Sequence, residues 1–423
     1  KFAMFIEYMK FAGINILHII LLLFISMNCL GQTNLQQARK LLTEGDNLLV
    51  AGDQQKALQK YNEAISAKPD YADAYMKRAS LYAWMGRNTE ALKDYDKAIA
   101  LNPYTEYLYD SRAKIKLLDM DYDGAMSDFK EALKMNPENC EVICNKALAR
   151  LNNDDAEGAL IDFNKLMDTN PKDSTYYMGR ALTQIQLEDY EAALSDIEIA
   201  ILSGKDLELA YNIKGLIFME LDKPEEAIAA FDNAIELKPD FSIAYFNRGL
   251  AKELLGDSKG SLEDLNTALD LNKDFESAYY TRAMVKNTSG DYNKAIDDLT
   301  KFIELDNNFS KAYFKRGYAK NLLGDYDGAL DDFNEAIKLE KQNPEIYNKR
   351  GNVHILFGNY QNAIDDFTKA INLDPDYGAA YHNRGIALIL SNKRDFGCED
   401  LKQSIDLDYE PSREKHRYFC ANQ

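Results

Sequence analysis

A 34-residue period runs without insertion or deletion from Ala38 to Pro411. It divides that stretch into eleven segments beginning at Ala38, Ala72, Glu106, Cys140, Ser174, Glu208, Ser242, Glu276, Ser310, Pro344 and Gly378. A period of this length marks a stacked supersecondary unit whose apolar side is too wide to bury alone and is buried against its neighbours. It moves the functional question from a catalytic centre to a surface and its partner.

With each repeat numbered from 1 to 34, position 8 is Gly or Ala throughout and position 20 is Ala in nine repeats, with Ser261 and Gly397 as the others. Two small residues twelve apart let two helices approach where their axes cross. Position 24 is large and apolar, as in Tyr61, Phe129, Phe163, Phe231 and Phe333, and fills the space beside the small pair. Gly52, Gly86, Gly256, Gly290, Gly324 and Gly358 occupy position 15, where a left-handed residue ends a helix. Pro69, Pro103, Pro137, Pro171, Pro239 and Pro375 fall at position 32, where a second helix must stop. Each repeat is therefore a helical hairpin.

This pattern resembles the tetratricopeptide repeat (TPR) family over about nine-tenths of the chain. The resemblance implies an all-α fold: a right-handed α-solenoid superhelix of eleven hairpins over residues 32–411, with a C-terminal capping helix over 412–423. One departure recurs. Position 7, usually Leu in the family, is Arg in eight repeats, and position 23 is Asp in nine. Repeat 1 exchanges the signs, with Glu44 and Lys60. The exchange predicts an ion pair between the two helices of one hairpin, such as Arg248 with Asp264. If it is exposed, it contributes on the order of 0.2–1 kcal/mol.

Residues 1–31 read as upstream residues and a secretory signal: Met9 and Lys10, an apolar run over 14–25, then a short polar segment. Twelve apolar residues are too few to span a bilayer, so no integral span is expected in the mature chain. Cleavage after Gly31 leaves Gln32 first and places the protein in the periplasm or outside the cell. The rival is a lipid anchor on Cys29, although Ser26-Met27-Asn28 lacks the usual residues before it. Export makes the surroundings oxidising. The segment from Cys398 to Cys420 is similar to the closing segment of exported bacterial TPR proteins, which implies a Cys398–Cys420 disulfide stapling the cap. Cys140 and Cys144, four apart on one helix, are expected to be free thiols.

The formal net charge is −19, from 69 acidic and 50 basic residues. Such a charge excludes nucleic acid as an expected partner, since phosphates require Lys and Arg neutralisation. It keeps the chain soluble, and in a sharper reading it favours a basic partner. No cofactor, metal or catalytic residue is expected. His354 and His382 lie on different faces of neighbouring first helices. No nucleophile has a His and an acid placed beside it. The calcium-like string from Asp119 to Gly124 carries Lys130 where the bidentate Glu of an EF-hand would stand.

In TPR proteins the first helices line a concave face. The resemblance therefore places a groove along positions 5, 6 and 9 of repeats 5–9: Met178, Leu182, Asn212, Leu216, Phe246, Asn247, Leu250, Tyr280, Met284, Phe314 and Tyr318. Apolar pockets there would take the side chains of an extended peptide and the amides its backbone. The spacing equally allows these residues to pack between helices. The residue set with which chaperone-adaptor TPR proteins grip a C-terminal carboxylate is absent: Lys311 and Lys315 match one part, and Thr281 and Phe246 break the others. The expectation is a non-enzymatic scaffold that binds a protein or peptide in the groove. The alternative is an accessory subunit that holds a polysaccharide or serves an envelope transport or assembly complex.

Overall fold

The computed structural model of the protein describes residues 34–420. The expected signal segment, Cys29 and the cleavage site lie outside them. The described residues contain no strand and fall into two compact units, one ending at Lys205 and one beginning at Asp206. Each unit is a run of antiparallel helical hairpins. The 34-residue period continues through the division, which falls in the turn between repeats 5 and 6.

The helices keep the register of the period. First helices occupy positions 1–13, as in Ala72–Trp84, Glu106–Leu118 and Ser242–Leu254, and second helices positions 17–30, as in Asn88–Leu101, Tyr122–Met135 and Ser258–Leu271. The first helix of repeat 1 covers 34–50. Between the two helices, position 15 is left-handed in all eleven repeats. The glycines take this conformation freely, but Met120, Asp154, Glu188, Asp222 and Asn392 hold it at φ between 56° and 62°. Position 16 then caps the second helix. Asp53, Asp121, Asp155, Asp189, Asp257 and Asp325 each accept from the backbone N–H three residues on. Asp121, the centre of the calcium-like string, is thus an N-cap, 3.0 Å from the Gly124 nitrogen.

Left-handed backbone costs an ordinary residue about 1–2 kcal/mol, partly offset by the larger entropy that Gly loses on folding. Met120 is 76 % exposed, so its side chain contributes little packing. Met120→Gly is expected to stabilise the first unit by about 0.5–1 kcal/mol. An unchanged or lowered urea midpoint would count against this.

The core lies between the two helices of each hairpin and against the next hairpin. Tyr61, Phe129, Phe163, Phe231, Phe333 and Phe367, all at position 24, are fully buried. They press on the small residue at position 8: a Cβ added to Gly215 would stand 2.3 Å from the Phe231 ring. Within each unit, the second helix of one repeat packs on the first helix of the next, and successive first helices also touch.

The Arg–Asp pair is present and more extensive than the sign exchange foretells. Arg248 Nε and Nη2 donate to the two Asp264 oxygens at 2.8 and 2.5 Å. The same fork joins Arg78 to Asp94, Arg112 to Asp128, Arg180 to Asp196 and Arg282 to Asp298. The Asp residues are buried, with Asp264 4 % exposed, so the estimate for a solvated pair does not apply. In repeat 1 Lys60 stands 3.1 Å from Glu44. Many repeats add a second cation from position 11, for example Lys252 on Asp264 and Lys286 on Asp298, each at 2.7 Å. In repeat 10 that position is His354, 3.8 Å from Asp366 and held below its ordinary pKa by burial.

The third guanidinium nitrogen reaches the preceding repeat. Arg78 Nη1 donates to Asn62, Arg282 Nη1 to Asn266 and Arg350 Nη1 to Asn334, each at 2.6 Å. Each acceptor stands at position 25. Tyr at position 4 lies under the guanidinium, with Arg78 5.7 Å from the Tyr75 ring centre, and donates its hydroxyl to the position-32 carbonyl of the preceding repeat, as Tyr75 does to Pro69. One arginine thus clips two helices of its own hairpin to a third.

The chain closes with the helix Pro411–Cys420, packed on Arg394–Asp406. Cys398 and Cys420 are bonded, with Cα atoms 5.8 Å apart. Ser412, fully buried, meets His382 Nδ1 at 2.8 Å and the Ser404 hydroxyl at 2.7 Å, and Ser404 is also bonded to the Gly378 carbonyl. His382 is therefore a cap residue, and burial holds its pKa below the ordinary value.

Candidate functional site

The expected strip divides between the units, with Met178 and Leu182 in the first and the other nine residues in the second. Position 5 and position 6 residues turn mostly into the packing between first helices. Met178, Asn212, Asn247 and Phe314 are buried. Phe246 stacks on Phe275 at 4.9 Å, and Tyr280 sits 5.4 Å from both Phe302 and Phe309. The amides expected to bind a peptide backbone bind each other: Asn247 Nδ2 donates to Asn212 Oδ1 at 2.9 Å. The same link from position 6 to the preceding position 5 joins Asn383 to Asn348 and Asn145 to Asp110. These residues are inter-repeat clamps and are not offered to a ligand. Position 9 remains half open: Leu182 in the first unit, and Leu216, Leu250, Met284 and Tyr318 in the second.

The exposed apolar residues of the first helices stand mainly at positions 2 and 13. In the second unit they include Ile243, 46 % exposed, and Leu254, 65 % exposed. In the first unit they gather around the single tryptophan of the chain, Trp84, 65 % exposed, with Tyr107, 54 % exposed. These two rings, with Leu49, Met76 and Ser80, line a pocket of about 410 Å³ among the first helices of repeats 1–3. Asp46 and Lys77 form its polar side, paired at 3.3 Å, and Asp46 also accepts the Tyr61 hydroxyl at 2.7 Å. An apolar concavity with a few fixed polar groups is the usual form of a ligand site. Trp84 was legible as the lone Trp at position 13, but the expected groove was confined to repeats 5–9.

No cluster of His, Cys, Asp and Glu that could hold a metal occurs among the described residues. Cys140 and Cys144 are free thiols, and burial pushes the Cys144 thiol up to about 11, away from the reactive thiolate. No helix among the described residues is long and apolar enough to cross a membrane.

Helical hairpins in strict 34-residue register, each with a small–small–large core, are matched by three sequence models. A TPR repeat model covers residues 215–256 and 319–356. One tetratricopeptide repeat model covers 72–104 and 344–377, and another covers 243–275 and 276–309. The chain is a tetratricopeptide repeat protein. Its fold is similar to that of a tetratricopeptide repeat protein from Parabacteroides merdae, at 17 % identity and a TM-score of 0.55, over 59 % of this chain and 99 % of that one. It is also similar to human IFIT1 in a dimer with PPP-AAAA, at 15 % identity and a TM-score of 0.51, over 86 % and 89 % of the two chains. No curated protein sequence matches it. The fold of this TPR protein supports use as a protein-interaction scaffold.

Proposed function

We propose that this TPR protein is a non-enzymatic scaffold that holds an extended segment of a partner protein against its first-helix faces. The observation that carries this is the pocket of Trp84 and Tyr107. It exposes two aromatic rings beside a fixed Asp46–Lys77 pair in a chain of net charge −19. Large aromatic side chains in a concavity are the usual anchors of a protein interface. The negative charge of the whole chain favours a basic segment and speeds its encounter. We propose further that the protein is exported to the periplasm or beyond. The signal-like residues 1–31 and the Cys398–Cys420 bond support that reading, since such bonds persist in oxidising compartments.

Trp84 is the only tryptophan, so its emission reports directly on this pocket. Peptides selected from a displayed library on the purified protein are expected to move that emission to shorter wavelength. Tyr107→Ala is expected to weaken their binding by about 1–2 kcal/mol. Selected peptides that leave the emission unchanged and bind Tyr107→Ala normally would refute the site. A soluble glycan that shifts the emission where no peptide does would favour a polysaccharide ligand. Mass spectrometry of protein recovered outside the cytoplasm is expected to find Gln32 first; an intact segment 1–31 there would refute signal cleavage.

A further inference from the structure

The clip between repeats has one charge pattern wherever position 7 is Arg: its Nη1 meets an oxygen at position 25 of the preceding repeat, as Arg112 meets Asp96 and Arg180 meets Asn164. At the junction of repeats 3 and 4 the pattern is inverted. Position 25 is Lys130, position 7 is Lys146, and position 4 is Ile143 in place of Tyr. The acceptor has become a cation, and the ring that would cover the cleft is missing. The Pro137 carbonyl, at position 32, accepts instead from Lys165 at 3.0 Å.

The result is a cleft of about 610 Å³ lined by Lys130, Lys134, Lys146 and Arg150 over the apolar Met126 and Leu133, with Ser127 and one carboxylate, Asp123. Lys146 and Arg150 share the buried Asp162, each at 2.8 Å, and Arg150 also reaches Asp155 at 3.2 Å. Lys134 pairs with Glu131 one helical turn away. Lys130 is exposed and has no ion pair among the described residues. A chain of net charge −19 thus gathers four basic side chains around one cleft and leaves Lys130 without an ion pair among the described residues, where its own repeat pattern calls for an oxygen acceptor.

We propose that this cleft is a second binding site, which takes the carboxylates of an acidic protein segment. A carboxylate placed here supplies from outside the acceptor that Lys130 displaces. Compact, strongly hydrated ammonium groups hold it as point charges. Met126 and Leu133 give an apolar floor for the side chain between two carboxylates, which free phosphate would leave unused. The volume lies within the range of ligand clefts, about 300–1,000 Å³. The site uses positions 7, 11, 21, 25, 28 and 29, whereas the Trp84 pocket uses the open side of the first helices. The two sites can therefore be disabled separately.

The test is fluorescence anisotropy with a short fluorescein-labelled peptide of alternating Glu and Leu, at low salt. The wild-type chain is expected to bind it saturably, and Trp84→Ala to bind it equally. Lys130→Asn restores the acceptor found at other junctions, so it is expected to keep the thermal unfolding curve while weakening binding about ten-fold. Lys130→Glu is expected to abolish binding. Equal affinity of wild type and Lys130→Asn would overturn the proposal. So would equal binding of the matching Gln–Leu peptide. Displacement by inorganic phosphate as effective as that by unlabelled peptide would assign the cleft to small anions and equally overturn it.

Discussion

Arg78→Ala is expected to lower the stability of the first unit by about 3–5 kcal/mol, the cost of leaving a buried charge unpaired. Asp94 is 6 % exposed, and both its oxygens are held by Arg78 at 2.7 Å. Position 11 of that repeat is Tyr82, so no second cation stands there to take over. Arg248→Ala should cost less, about 1–2 kcal/mol, because Lys252 already pairs with Asp264 at 2.7 Å. Replacing both partners, as Arg78→Met with Asp94→Leu, should recover most of the loss, since an apolar pair of similar volume needs no counter-ion. Urea unfolding followed by circular dichroism reads all three. Equal losses for Arg78→Ala and Arg248→Ala would show that the fork acts through packing rather than by neutralising a buried carboxylate.

The second large effect is expected at the C-terminal end. Cys398 and Cys420 enclose a loop with a sequence separation of 22. Opening it restores chain entropy worth about 3 kcal/mol to the unfolded cap. In a repeat protein each hairpin is stabilised mainly by its neighbours, so the loss stays local. Hydrogen exchange after mild reduction, or in Cys420→Ser, should therefore accelerate about 100-fold in Arg394–Asp406 and Pro411–Cys420. The helix Ala72–Trp84, in the other unit, should be unaffected. Unchanged protection of the cap would mean that the Ser412, Ser404 and His382 contacts hold it without the bond.

The architecture was legible because 34 residues recur in phase, which turns one chain into its own alignment. Helix limits, the small–small–large core and the Arg248–Asp264 pair all follow from position number. Burial of the pair did not follow, because a sign exchange shows that two residues meet but not what covers them. The third bond of each arginine, to position 25 of the preceding repeat, needed the packing of one hairpin on the next. The groove was the least legible part. Positions 5 and 9 lie one helical turn apart on the same side, and composition gives no way to tell which turns toward the neighbouring first helix. Phe314 turned inward, Leu250 and Tyr318 stayed half open, and Phe246, equally half-buried, laid its ring against Phe275. The amides do carry a signal in the sequence: Asn247, Asn383 and Asn145 each follow Asn or Asp at position 5 of the repeat before.

The long-range side-chain bonds of this chain are short in another sense. The arginine forks and clips join residues 16 apart, and the amide links join residues 35 apart. Within each unit, then, a hairpin can complete its contacts once the next hairpin exists, without waiting for the distant end of the chain. Low contact order of this kind allows rapid folding and a start at any hairpin. For a chain that emerges from its N-terminus, each unit can assemble in the order of its synthesis. The bond between Cys398 and Cys420 can form only at the end, when the last helix has arrived.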